Sequence, residues 1–151
     1  MKFLLYYINI EKRNGEIKMW SNCKNYSGSQ LSEMLNKELV GQRIYKITNN
    51  TIELENGTIL TIDPNKGCDV CDTGWAEMNI VPSNPYFDAA VMNVEYKDMS
   101  NKRSDSFKIF IYMTDNSSVT MDGNNGNDNG YYGSGFWVTV TRSKYFYKKE
   151  R

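Results

Sequence analysis

Cys68-Asp-Val-Cys71 spaces two thiols as metal ligands and redox pairs are spaced. Such a pair can fill two corners of a four-ligand zinc site, or cycle between dithiol and disulfide at a strand–helix junction. Zinc would need further ligands, and the chain offers only Cys23 and carboxylates, because it contains no histidine. The surrounding run Gly67–Trp75 does not read as a strand entering a helix. A structural role is therefore expected, with both thiols reduced and metal-free. Asp122-x-Asn124-x-Gly126-x-Asp128 is oxygen-rich in the manner of a calcium loop. It lacks the closing bidentate glutamate, since position 133 is glycine, and reads as a solvated turn. Glu53, Glu55 and Asp63 alternate with apolar residues, which places them on the wet face of a sheet rather than in an acid–base pair. The missing imidazole removes the commonest general base, and with it any Ser–His or Cys–His nucleophile pair. The expectation is a protein that is not an enzyme and carries no cofactor.

Binding is more legible than chemistry. From Asp122 to Gly135 the chain is almost entirely Gly, Asn, Asp, Ser and Tyr, and it then enters Phe136-Trp137-Val138-Thr139-Val140. Gly and Asn tolerate positive φ, so this loop can adopt unusual backbone shapes and turn successive N–H groups inward. Its tyrosines add broad amphipathic surface at low entropic cost.

The chain has 151 residues, enough for one domain with a core, and balances 18 basic against 18 acidic residues. A dedicated nucleic-acid binder or a binder of anionic membranes would carry a basic surplus. Arg142, Lys144, Lys148, Lys149 and Arg151 cluster near the end, and read as solvated charges. Three cysteines do not make a disulfide framework, and a reducing cytoplasm is the simpler setting. The apolar run after Met1 is too short and too interrupted for a leader or a membrane span, and reads as a buried strand.

One domain over 1–151 is expected. Its N-terminal hairpin, 2–20, turns at Asn14-Gly15. Ser21–Ser29 reads as loop. A helix over 30–39 is capped by Ser29, buries Leu31, Met34 and Leu35, and stops at Gly41. A β core follows over 42–147. It opens with a meander, Arg43–Thr48, Thr51–Glu55 and Thr58–Asp63, turning at Asn49-Asn50 and Asn56-Gly57. Pro64–Pro85 reads as an irregular loop. Tyr86–Tyr96, Ser106–Thr114, Ser118–Met121, Gly135–Arg142 and Tyr145–Tyr147 read as further strands. The fold class is mainly β: an antiparallel sandwich or strongly bent sheet of about nine short strands with one helix.

Two segments resemble known motifs. Gly67-Cys-Asp-Val-Cys-Asp-Thr-Gly-Trp-Ala-Glu77 resembles Asp-Cys-Cys-Ser-x-Ser-Trp-x-Glu, and Asn127-Asp-Asn-Gly-Tyr-Tyr-Gly-Ser-Gly135 resembles Ser-Ser-Asn-Gly-Tyr-Tyr-Gly-Gly. Leu39-Val-Gly-Gln-Arg-Ile44 is similar to the Leu-x-Gly-Lys/Gln-x-Ile start of the same family of small, tailed-phage-encoded domains of unknown function. The resemblance spans Leu39–Val140. Only Cys71 matches one of the family's paired cysteines. It implies a phage accessory protein in the cytoplasm of an infected bacterium, and proteins of that kind are often anti-defence factors.

The leading expectation is a module that sequesters a small nucleotide-type immune signal without altering it. Trp75, Tyr131, Tyr132 and Phe136 are expected to stack on the ligand; Asn125, Asn129 and Arg142 are expected to hydrogen-bond to it. Loops Gly67–Trp75 and Asp122–Tyr132 should then share one side of the domain. Trp137 is expected in the core. The alternatives are an interaction protein that occludes a host defence or replication protein, and a carboxylate-based hydrolase. A homo-oligomer through free edge strands is also open.

Overall fold

The computed structural model describes residues 4–12, 15–65, 75–81, 86–126 and 134–147, with side chains at 21–65, 75–80, 86–126 and 134–142. The chain opens with an antiparallel hairpin of β1 (Leu4–Lys12) and β2 (Gly15–Tyr26). Ser21–Tyr26, expected as loop, is the second half of β2. Polar composition does not prevent a strand here, because the whole stretch pairs with the far strand β10 (Phe136–Tyr147), and Ser21–Cys23 pair with β1 as well.

Helix α1 (Gly28–Leu39) starts two residues earlier than its sequence suggested. Ser27, not Ser29, is the N-cap. Its Oγ accepts the Gln30 N–H at 3.3 Å, and the Gln30 Oε1 accepts the Ser27 N–H at 3.0 Å, a reciprocal capping box. Leu31, Leu35 and Leu39 form its buried stripe. Gly41 follows at φ +84°, where a side chain would be strained.

The meander is as expected: β3 (Ile44–Ile47), β4 (Thr51–Leu54) and β5 (Ile59–Pro64) alternate buried Ile52, Leu54, Leu60 and Ile62 with more exposed neighbours. Beyond it the expected loop gives way to strand β6 (Trp75–Val81), paired along its whole length with β9 (Ser118–Asn124). Asp122–Asn124 therefore belong to a strand, not to the Gly/Asn loop. β7 (Val91–Asp98) starts later than Tyr86; the preceding residues form single bridges onto the β3 edge, Lys46 with Tyr86 and Arg43 with Ala90. β8 (Ser106–Met113) buries Phe107, Ile109, Ile111 and Met113, as its alternation predicted. Gly135–Arg142 and Tyr145–Tyr147 read as separate runs; apart from Gly135, which precedes it, both lie within one strand, β10.

Ten strands thus form two antiparallel sheets among the described residues, in the orders β1-β2-β10-β5-β4-β3 and β6-β9-β8-β7. The apolar core is shared by both sheets and α1. Its largest members, Phe107 and Phe136, meet edge-to-face at 5.7 Å. Phe107 also lies under two glycines. A Cβ on Gly28 would fall 2.5 Å from its ring, and one on Gly123 would collide with it. These close approaches bring the start of α1 and the end of β9 together at one end of the molecule.

Candidate functional site

That end is organised by Asn125. Its side-chain oxygen accepts the Gly28 N–H at 2.6 Å, its own N–H donates to the Asp105 carbonyl at 3.0 Å, and its carbonyl accepts the Gly135 N–H at 2.7 Å. One residue therefore ties together α1, the connection between β7 and β8, and the entry to β10. The Gly/Asn loop is pinched at its root by a bridge between Gly126 and Ser134. Gly126 and Gly135 both have positive φ, +78° and +76°. The Ser134 carbonyl accepts the side-chain amides of Asn25 at 3.3 Å and Asn65 at 3.2 Å.

A cavity of about 420 Å³ lies in this setting, lined by Asn25, Ser27, Gln30, Asp105, Asn125, Gly126, Ser134 and Gly135. Every lining residue is polar or glycine. Asp105 is the sole charged one, so the cavity suits hydrogen bonding to a neutral polar group better than to an anion. Gln30 also borders a second hollow, of about 370 Å³, between the β2 strand and α1. Lys24, Tyr26, Glu33, Met34, Lys37 and Glu38 complete it. The Lys24 ammonium lies 5.4 Å from the centre of the Tyr26 ring. Burial first, and the Glu38 carboxylate second, push the Tyr26 hydroxyl above the usual tyrosine range, so it remains a neutral donor.

The expected ligand residues separate into groups. Asn125 lines the polar cavity, though its side-chain oxygen is engaged by Gly28. Trp75 is 50% exposed at the start of β6, directly opposite Asn124. It is thus at the same end as the cavity and available on the surface. Phe136 does not fit its expected role: it is 0% exposed, and its ring is packed against Phe107. The alternation that buries Val138 buries it as well. Trp137 points to the opposite face of β10 and is half-buried, so it is not the core residue expected. Arg142 lies six positions along β10 from Phe136, roughly 20 Å away in an extended strand. Its guanidinium is held by Glu38 at 2.6 Å, on the side of the α1 groove.

Asn129, Tyr131, Tyr132, Cys68 and Cys71 lie outside the described residues, as do most residues of both motif loops. Their flanks converge. The Asn65 N–H donates to the Gly135 carbonyl at 3.0 Å, joining the entry of one loop to the exit of the other. Across the second sheet, Trp75 pairs with Asn124.

Lys24, Tyr26, Gln30 and Lys37 were missed by sequence reasoning. They come from a strand read as loop and from the solvent side of a helix. The signal that could have found them is the alternation of Asn22, Lys24 and Tyr26, which share the inner face of β2. Among the described residues no group of three or more Cys, Asp or Glu side chains could hold a metal ion. Cys23 is a half-buried free thiol. No described helix is long and apolar enough to cross a membrane.

The molecule is an antiparallel two-sheet β domain with a single described helix and a polar cavity at one end. Residues 37–138 match the family described as Domain of unknown function (DUF7448), and the chain belongs to that family. No curated protein and no solved structure matches the chain. The match covers β3 to β9, the end of α1 and the start of β10. The cavity is therefore built from both sides of that boundary: Asp105, Asn125, Gly126, Ser134 and Gly135 lie within the matched span, and Asn25, Ser27 and Gln30 precede it.

Proposed function

We propose that the chain is a phage accessory protein of the anti-defence kind, acting in the cytoplasm of an infected bacterium by binding a small nucleotide-type signal and holding it chemically unchanged. The observation that supports binding is the polar cavity at the joined roots of the two motif loops, bordered by a groove with an aromatic face and two ammonium groups. Asparagine, glutamine and serine side chains suit the edges of a base or a ribose. Tyr26 offers a stacking face. Lys24 and Lys37 are the groups that can meet a phosphate in the groove, where Glu38 is already paired with Arg142 and Glu33 is the remaining carboxylate; Asp105 disfavours phosphate inside the cavity itself. Trp75, Asn129, Tyr131 and Tyr132 supply further contacts from the loops in this reading, Phe136 supports the site from the core, and Arg142 acts on it through Glu38. The phage assignment rests on the resemblance of the two loop motifs.

The test is to incubate the protein with lysate of phage-infected bacteria, repurify it, release small molecules by heat and identify them by mass spectrometry. An intact nucleotide-type compound, absent when Lys24 and Tyr26 are replaced by alanine, is expected. Recovery of no small molecule, or of a compound altered by the protein, would refute sequestration.

A second reading, occlusion of a host protein, has one observation in its favour. Tyr45 and Tyr86 are 54% and 53% exposed and meet edge-to-face at 5.8 Å, with the Lys46 ammonium 5.7 Å from the Tyr86 ring. Tyrosine is enriched among protein-binding hot spots. Loss of a co-purifying host protein on Tyr45→Ala would favour this reading.

A further inference from the structure

The six-stranded sheet ends on β1, whose nine residues pair with β2 alone among the described residues. The opposite edge is covered, because β3 is bridged by the residues ahead of β7. The charges of β1, Glu11 and Lys12, stand only at its end, and among the described residues nothing pairs with its outer side. Its register with β2 runs through nine successive pairs without a bulge. Leu4–Ile10 contains no proline and no charged residue. A row of backbone N–H and C=O groups faces outward along it. Among the described residues β10 pairs with β5 only as far as Thr141, and from Arg142 to Tyr147 it pairs with β2 alone. Both long edges of this three-stranded ribbon are unpaired there among the described residues.

We infer that β1 pairs with the β1 of a second copy, antiparallel about Tyr7, joining two six-stranded sheets into one. The sequence of the edge selects this occupant. A two-fold axis at Tyr7 places Leu4 opposite Ile10, Leu5 opposite Asn9 and Tyr6 opposite Ile8. Tyr7 then meets Tyr7, Tyr6 and Leu4 each meet an isoleucine, only Leu5 with Asn9 pairs apolar with polar, and no charge falls between Leu4 and Ile10. The remaining open edge of the ribbon, along β10, carries Arg142 and Lys144 and matches an apolar strand poorly. A β1–β1 contact is also self-complementary and closes as a dimer, whereas β1 on β10 would propagate as an open chain. The formal net charge of zero adds no long-range repulsion between copies.

The experiment uses the full chain. Sedimentation velocity should give about twice the 17.5 kDa of one chain. In a background with Cys23, Cys68 and Cys71 replaced by serine, Tyr7→Cys should form a disulfide-linked dimer under mild oxidation. Directly opposite residues of an antiparallel pair lie about 4.5–5.5 Å apart at Cα, within disulfide reach. Ile10→Cys should not, since the two thiols would stand roughly 20 Å apart along the paired strands. A monomer at tens of micromolar, a larger open assembly, or equal cross-linking of the two variants would each overturn the proposal. The sedimentation result stands even where a cysteine variant fails to fold.

Discussion

The side-chain oxygen of Asn125 accepts the backbone N–H of Gly28 at 2.6 Å, across a sequence separation of 97 residues. Gly28 is buried and is the first residue of α1, so this N–H has no partner within the helix. The cavity, the helix start and the root of the Gly/Asn loop thus depend on one amide.

Asn125→Ala should cost about 1–3 kcal/mol, the price of a buried donor left unpaired. Asn125→Asp keeps the acceptor and should recover most of that loss. Chemical denaturation of the two variants checks the pair; equal destabilisation would show that the side-chain oxygen is not what matters.

Phe136→Ala should destabilise by about 3–5 kcal/mol, as removal of a large buried aromatic does. Trp75→Ala should change stability little, because half of its surface already faces solvent. If Trp75 stacks on the ligand, its removal should weaken binding by about 1–3 kcal/mol, or tenfold and upward. Melting temperature and ligand affinity measured on the same two proteins separate a packing role from a binding one.

Gly28→Ala should destabilise by about 1–3 kcal/mol through overpacking against Phe107. Adding Phe107→Leu should make the second change cheaper than it is in the wild-type background. A double-mutant cycle showing strict additivity would remove the proposed contact.

Alkali should weaken the fold. The hydroxyls of Tyr26 and Tyr96 both titrate above the ordinary value of 10.0, chiefly because burial disfavours the phenolate. The folded state therefore binds more protons than the unfolded chain once pH passes 10.0. The resulting stability is fully present below that pH and is lost as pH rises toward the folded-state values. Tyr26→Phe should flatten part of this decline in a series of melting curves taken across the alkaline range.

The meander was legible because each of its signals is local. Asn56-Gly57 supplies the turn, with Gly57 at φ +88°, and the two-residue alternation marks which face is buried. β2 was not legible beyond Trp20, because the polar run Ser21–Tyr26 owes its strand state to β10, more than a hundred residues away; the Ser21 and Thr141 hydroxyls, 3.0 Å apart, are one trace of that pairing. β6 did carry a signal, with Met78 buried between exposed Glu77 and Asn79, but turn-forming residues on both sides concealed it. The candidate site was legible only as a loop. Composition picked out Asn125 and its neighbours, while Lys24 and Tyr26 acquire their place from sheet order, which no local pattern encodes. Phe136 was misjudged by its glycine-rich approach rather than by its parity with Val138 and Val140.

The position of β10 between β2 and β5 has a consequence for biosynthesis. β10 leaves the ribosome after every other described strand, yet it is the strand that joins the N-terminal hairpin to the meander. Until it emerges, β2 lacks its inner neighbour and β5 lacks one of its two, so the six-stranded sheet cannot close during translation. The early hairpin must wait with its apolar residues unplaced, a window in which chaperone engagement or premature association with other nascent chains would be decided.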